Sequence, residues 1–335
     1  MTSFLLLRVG ALGDLLLLAP ALAALRARFP RARLTLVGHG EACRMLAAAS
    51  LVDAGLSQED PRLLELFSTP DSSAAESLWI GKIDLGIAWL ADEDGTVAAN
   101  LRRLGAKLVL VAPSAPPQGS GTHITDHLLD SLAPLGISSA NATFGPLLSA
   151  PANEVEWARN YLAPRTGTRT LKGAPTGATL VPHDRARRIV AIHPGSGSPS
   201  KNWPAKCFAE VAVKLAWQEA MVPLLISGPA DELALGELLS HLKCRATVAR
   251  DLPLSRLAAL LSLCDAYVGN DSGVTHLAAL LGVPTVALFG PTDPAVWAPR
   301  GLDVTVMRWA GEPGSLPPEV VAETVARAAL HSRKA

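Results

Sequence analysis

The stretch "SFLLLRVGALGDLLLLAPALAAL", residues 3–25, decides the fold. It begins with an unbroken apolar run, "SFLLLRV", of the length of a strand buried on both faces. Two glycines bracket the turn that follows, and a second apolar run then carries the chain as a helix to "RARFP". A buried strand that passes through a Gly-bracketed turn into a helix is the first step of a parallel sheet with helices on its faces. Pro20 falls about two turns into that helix. It removes one intrahelical bond, so the reading allows a kink or a helix proper that starts near Pro20.

The same rhythm continues outward. "ARLTLVG", "KIDLGIAWL" and "AKLVLVAP" read as strands, with "EACRMLAAA" and "DGTVAANLRRLG" as helices between them. It stops near residue 140, where "SSANATFGPLLSAPANE" is small, polar and Pro-containing. "VEWARNYLA" is one helix, and residues 164–188 are a Gly-, Pro- and Thr-rich linker or surface loop. A second series starts at "RIVAIHPG" and runs through "VPLLISGP", "RATVAR", "DAYVGN" and "PTVALFG", with helices between the strands. "PPEVVAETVARAALH" closes the chain as a helix. The expected organisation is two α/β doubly wound units. Residues 1–150 form the first, 151–188 a linker helix and loop, 189–315 the second unit, and 316–335 a C-terminal helix. Two such units facing each other would hold a ligand in the cleft between them, beyond the carboxyl ends of the strands.

Bulk properties agree and exclude several classes. A chain of 335 residues exceeds one average domain. With 49% apolar and 18% charged residues it can build sizeable cores, which excludes a wholly disordered protein. Thirty basic and thirty acidic side chains balance, so no global basic field points to nucleic acid. Cys43, Cys207, Cys244 and Cys264 form no C-x-x-C pair and no zinc-ligand spacing, and read as reduced thiols of a cytoplasmic protein. The "LLLLAPALAAL" run resembles a signal h-region. However, Arg8 and Asp14 interrupt its surroundings, no positive n-region precedes it, and it is too short to span a bilayer.

Three segments share the form strand, small-residue turn, helix start. In "RVGALGDLL", Gly10 and Gly13 permit close backbone approach, and Asp14 stands at the mouth of the helix. By itself Asp14 reads as a helix cap or as a functional carboxylate. The turn is neither a G-x-G-x-x-G fingerprint nor a Walker A loop. In "AIHPGSGSPSKNWP", free amides, the small hydroxyl of Ser196, Gly197 and the Lys201 ammonium suit an anion such as a diphosphate. A flexible loop with a solvated lysine is the plainer reading. In "DAYVGNDSGVTHLAALLG", Asp271, Ser272, Gly273, Val274 and Thr275 open a helix whose unpaired N–H groups and dipole attract an anion. His276 follows, as a structural or a functional imidazole. Asp231, after "SGP", either contacts nucleoside hydroxyls or simply starts a helix with favourable charge, and Glu232 is its alternative. The arginines at 26, 28, 31 and 33 form a solvated helix end or a patch for an anionic lipid surface. No H-E-x-x-H motif is present.

Four blocks together resemble glycosyltransferase family 9, the ADP-heptose:lipopolysaccharide heptosyltransferase family. They are "GALGDLLLLAPAL" at 10–22, "HPGSGSPSKNWP" at 193–204, "SGPADE" at 227–232 and "GNDSGVTHLAALLGVPTVALFGPTDP" at 269–294, in the family's order. The resemblance implies a GT-B fold with an N-terminal acceptor domain and a C-terminal nucleotide-sugar domain. It implies an inverting transferase with no catalytic metal and no cofactor beyond its nucleotide-sugar co-substrate, ADP-heptose. The acceptor would be a lipid-linked saccharide of the lipopolysaccharide core, met by peripheral contact at the inner face of the cytoplasmic membrane. Residue by residue, Asp14 takes the general base's place in a turn with Gly10, Leu12 and Gly13. Ser196, Gly197 and Lys201, with the stretch from Asp271 to His276, take the place of the donor phosphate and sugar site, and Asp231 that of the nucleoside ligand. Two alternatives share the scaffold: a transferase or epimerase acting on another nucleotide-sugar, and a non-catalytic nucleotide-sugar-binding protein.

Overall fold

The structure is a computed structural model that describes residues 2–68, 80–142, 144–163 and 188–332. The linker loop expected at 164–188 lies outside the described residues except for Arg188. The chain divides into two compact units, Met1–Leu148 and Ser149–Ala335.

The first unit runs β1 (Ser3–Leu7), α1 (Leu12–Leu16), α2 (Ala19–Arg28), β2 (Arg33–Gly38), α3 (Gly40–Ala48), β3 (Ala54–Ser57), α4 (Leu64–Phe67), β4 (Leu85–Trp89), α5 (Thr96–Arg103), β5 (Leu108–Ala112) and α6 (Ile124–Asp130). All its strand pairs are parallel, in the order β3-β2-β1-β4-β5. β1 is central, with Leu6 in register with Leu36 on one side and Ile87 on the other. Phe4 to Leu7 are buried, as a strand covered on both faces requires. The helix after β1 is broken rather than kinked: α1 ends at Leu16 and α2 starts afresh at Ala19, with Pro20 in its first turn where no N–H is needed.

The second unit runs α7 (Ala152–Leu162), β6 (Ile189–His193), α8 (Ala205–Gln218), β7 (Val222–Ser227), α9 (Glu232–His241), β8 (Thr247–Arg250), α10 (Leu254–Ser262), β9 (Ala266–Asn270), α11 (Gly273–Leu280), β10 (Thr285–Phe289), α12 (Pro294–Trp297), β11 (Val304–Arg308) and α13 (Pro318–His331). Its parallel sheet has the order β11-β10-β9-β6-β7-β8. The core joins β6, β9 and β10 to α8, α9 and α13, around Trp203 and Phe208, whose rings meet edge to face at 5.0 Å.

Two strands escape the sequence reading, β3 and β11. Both are edge strands, part-exposed and without a continuous apolar run. In each unit the strand order reverses beside the first strand, between β1 and β4 and between β6 and β9. Ligands of doubly wound sheets bind at the carboxyl ends of the strands at such switch points. The turns that follow β1, β6 and β9 are the three motifs singled out above. No helix among the described residues is long and apolar enough to cross a membrane.

Candidate active site

The corner after β1 is built around Asp14. Ala11, not Asp14, is the N-cap of α1, and Asp14 is the third residue of the helix. From there its Oδ2 reaches back to accept the Ala11 N–H at 2.9 Å, the carboxylate half of a capping box. Its Oδ1 faces the Arg8 guanidinium at 3.4 Å. Arg8 is almost fully buried and also donates to the Ser114 carbonyl at 2.6 Å. Burial lowers the Arg8 pKa, and the Asp14 charge opposes that shift. The Asp14 side chain keeps 33% of its surface exposed, so one face of the carboxylate can meet a ligand. Gly10 is required by close approach, because a Cβ there would sit 2.7 Å from Asp14 Oδ2. Gln58, just after β3, holds the Gly10 peptide from both sides. Its Oε1 accepts the Gly10 N–H at 3.0 Å and its Nε2 donates to the Gly10 carbonyl at 3.2 Å. Nothing in the sequence flags Gln58, since the contact spans two strands of the sheet. Leu15 to Leu18, buried behind the corner, fix its position.

The Asp92-Glu93-Asp94 run after β4 has the D-x-D spacing often used to hold a metal-bridged diphosphate. Its aspartates serve α5 instead. Asp92 accepts the Val97 and Ala98 N–H groups at 2.9 Å each, and Asp94 accepts from the Thr96 amide and hydroxyl. Those Thr96 bonds hold the Asp94 carboxyl below its ordinary pKa. Among the described residues no three His, Cys, Asp or Glu side chains are grouped for a metal ion.

In the second unit, the turns after β6 and β9 lie on adjacent strands, with His193 in register with Gly269. Asn270 ties them together. It accepts the Trp203 N–H at 2.9 Å and donates to the Pro194 carbonyl at 2.8 Å. Lys201 Nζ lies 2.9 Å from Asp271 Oδ2, with the lysine 34% exposed and the aspartate 8%. His276 Nε2 stands 3.9 Å from the other Asp271 oxygen. Ser272 caps α11 by accepting the Thr275 N–H, which leaves the amides of Gly273 and Val274 at the open end of the helix. This places one ammonium beside a helix N-terminus at the switch point, a setting that suits an anion.

Three of the expected contacts are occupied internally. The Ser196 hydroxyl bonds within its own loop, to the Ser198 carbonyl and Asn202 at 2.7 Å each, rather than facing outward. Thr275 is fully buried, with its amide capped and its hydroxyl on the Asn270 carbonyl. Asp231 is also buried, and its Oδ2 accepts from the Gly228 N–H at 2.8 Å and meets His193 Nε2 at 2.9 Å. Burial pushes the Asp231 carboxyl up, but the bonds from His193 and Gly228 outweigh it and hold the pKa below its ordinary value. Glu232 is half exposed and pairs with Arg250 at 3.2 Å. Gly197 lies open at the surface of the loop.

The arginines at 26–33 lie at the end of α2 and the start of β2, the edge of the first sheet opposite Asp14. Arg26 is structural, since it grips Asp53 at 2.6 Å and the Ala32 carbonyl at 2.9 Å. Arg28, Arg31 and Arg33 are exposed. None of the four cysteines is bonded to another, and burial pushes the thiols of Cys43 and Cys244 up to about 11.

The sequence model of glycosyltransferase family 9 (heptosyltransferase) matches residues 156–316. Lipopolysaccharide heptosyltransferase 2 of Salmonella typhimurium is 34% identical over 129 residues, 36% of this chain and 36% of its own length. Lipopolysaccharide heptosyltransferase 1 of Pseudomonas aeruginosa is 36% identical over 106 residues, 32% of this chain and 29% of its own. The chain thus spans about a third of the length of the curated relatives it matches. Solved structures match along the whole chain. A family 9 glycosyl transferase from Veillonella parvula has a TM-score of 0.76 at 18% identity, covering 99% of this chain and 98% of its own. The E. coli ADP-heptose LPS heptosyltransferase II has a TM-score of 0.72 at 20% identity, covering both chains completely. These likenesses carry the fold, which is the GT-B fold that the sequence resemblance implied. Residues 156–316 thus resemble glycosyltransferase family 9 in sequence, and both units share the fold of its solved structures.

Proposed function

We propose that the protein is an inverting, metal-independent glycosyltransferase that moves a heptose from ADP-heptose to a saccharide of the lipopolysaccharide core. The observation that carries this reading is Lys201, paired with Asp271 in the turn that leads into the open end of α11, at the β6/β9 switch point. It is supported by relatives that are themselves heptosyltransferases, and by a matching E. coli heptosyltransferase structure that contains ADP. The second unit holds the donor and the first the acceptor. The acceptor hydroxyl gives its proton to Asp14 as its oxygen attacks the anomeric carbon. The bond from that carbon to the diphosphate oxygen breaks, and its electron pair leaves with the diphosphate. Such a base contributes roughly 10²–10⁴-fold in rate.

Charge accumulates on the leaving diphosphate. Lys201 and the Gly273 and Val274 amides receive it as fixed electrostatic partners, after the ammonium turns from Asp271. Asp271 is then free to accept hydrogen bonds from sugar hydroxyls. Glu232 rather than Asp231 meets the nucleoside, because Asp231 is already bonded inside the unit. The reaction runs in the cytoplasm on a lipid-linked acceptor, with peripheral contact at the membrane. The test is ADP release from ADP-heptose with and without a heptose-deficient core saccharide. Release that depends on the acceptor, with a heptose gained by that saccharide, is expected. Release without an acceptor, or none with any, would overturn the reading.

A further inference from the structure

His193 ends β6 with its side chain almost fully buried, a position where the strand's other residues are aliphatic. It has a polar partner on each ring nitrogen: Nε2 is 2.9 Å from Asp231 Oδ2, and Nδ1 is 3.4 Å from the Ser272 hydroxyl. The backbone makes room for this arrangement. A Cβ on Gly195 would lie 1.8 Å from Asp231 Oδ1, so only glycine admits the carboxylate that holds the imidazole. Three strand ends (β6, β7 and β9) and the start of α11 meet in this group of side chains.

The protons in the group can be assigned in turn. A carboxylate accepts only, so Nε2 of His193 carries the hydrogen that goes to Asp231. A neutral imidazole has one such hydrogen, which leaves Nδ1 as an acceptor. The Thr275 hydroxyl donates to the Asn270 carbonyl, so it receives from Tyr267 and has no second proton to give. The Ser272 hydroxyl proton then has two inward acceptors in reach, Thr275 Oγ1 at 3.1 Å and His193 Nδ1 at 3.4 Å, and the Ser272 oxygen is left as the acceptor that caps the Thr275 N–H. A serine whose proton is committed inward cannot donate to a phosphate.

We propose that His193 is a positioning residue for the anion site at α11. Backed by Asp231, it takes the Ser272 proton and holds Ser272 as a pure cap, so that the Gly273 and Val274 amides and Lys201 face the diphosphate. The inference rests on the donor-site reading above. It assigns Ser272 to the scaffold of the site rather than to its ligands, and brings in a histidine from a different strand.

The test is ADP binding by calorimetry to the full chain and to the variants His193→Gln, His193→Asn, Ser272→Ala and His193→Gln/Ser272→Ala, with the Tm of each. Glutamine keeps a donor for Asp231 but leaves Ser272 no acceptor in place of Nδ1. Asparagine places its carbonyl near Nδ1 and restores that acceptor. One lost hydrogen bond corresponds to about a three- to ten-fold weaker ADP affinity, the expectation for His193→Gln. His193→Asn should recover most of it. In the Ser272→Ala background, His193→Gln should cause no further loss. Wild-type ADP affinity in His193→Gln overturns the proposal. So does an equal loss with and without Ser272, which would mark His193 as a generic core residue. If a variant is too unstable to titrate, the Gln and Asn variants are compared at a temperature below both Tm values. A wild-type chain that binds no ADP refutes the donor-site reading and this inference with it. That result is distinct from wild-type binding that is insensitive to His193.

Discussion

The corners after β1 and after β9 use one backbone device for opposite purposes. Each lets a buried strand turn through small residues into a helix at the carboxyl edge of its sheet, beside the switch in strand order. At the β9 corner a serine caps the helix from outside its first turn, and the helix end stays positive, with Lys201 next to it. At the β1 corner the cap comes from inside the helix. Asp14 bends back to accept the Ala11 N–H, so a carboxylate, with the Arg8 guanidinium behind it, stands at the corner. The two corners thus differ in which residue serves the cap, a serine before the helix at one and an aspartate at its third position at the other.

The sharpest way to break that contrast is Asp14→Asn. Asparagine can still accept the Ala11 N–H, so the cap survives, but the buried Arg8 guanidinium loses its charged partner and the Tm should fall. Turnover should fall by roughly 10²–10⁴-fold, with ADP affinity unchanged. Turnover at the wild-type rate with a true acceptor would reduce Asp14 to a cap. Next in size is Lys201→Ala, which removes a charge-assisted contact worth about 1.5–3 kcal/mol, or roughly ten- to a hundred-fold in ADP affinity. It also takes the nearer of two partners from the buried Asp271 carboxylate and leaves only His276 at 3.9 Å, so the first thing to compare is the Tm with and without ADP. An affinity that does not move would take Lys201 out of the phosphate site. Smaller again is Gln58→Ala, which frees the Gly10 peptide. At about 1 kcal/mol for each of two hydrogen bonds, kcat should drop around ten-fold while KM for the donor holds. A change in donor KM alone would separate Gln58 from the Asp14 corner.

Much of this was legible in sequence because central parallel strands are apolar on both faces and each is followed by its own small-residue turn. β1, β6, β9 and β10 stand out for that reason, and the first three lead into the turns singled out in the sequence. The edge strands β3 and β11 did not, since part-exposed residues carry no comparable pattern. Residue types such as Lys201 and Asp271 were readable because their charge lies beside a helix start. What sequence could not show is which polar groups are already partnered. Ser196, Thr275 and Asp231 look like ligands in one dimension, and Gln58 and His193 like nothing in particular. Their roles depend on contacts between strands that are distant along the chain: Gln58 with Gly10, and His193 with Asp231 and Ser272.

The smallest effect separates the two corners by pH. Asp231 is the buried carboxylate behind the β9 corner, and its pKa in the folded protein is held below the ordinary value. Folding therefore favours its charged form. That contribution to stability is complete above the unfolded value of about 3.9 and is lost as the pH falls below it toward the folded pKa. Tm measured from pH 6 down to pH 3 should fall more steeply for the wild type than for Asp231→Asn, with the two curves separating only below about pH 4. Asparagine still accepts from His193 and Gly228, so the curves should run close together near neutrality. Parallel curves through the acid range would mean that His193 and Gly228 do not hold the carboxylate charged. The polarity assigned to Ser272 would then lose the partner that orients the imidazole.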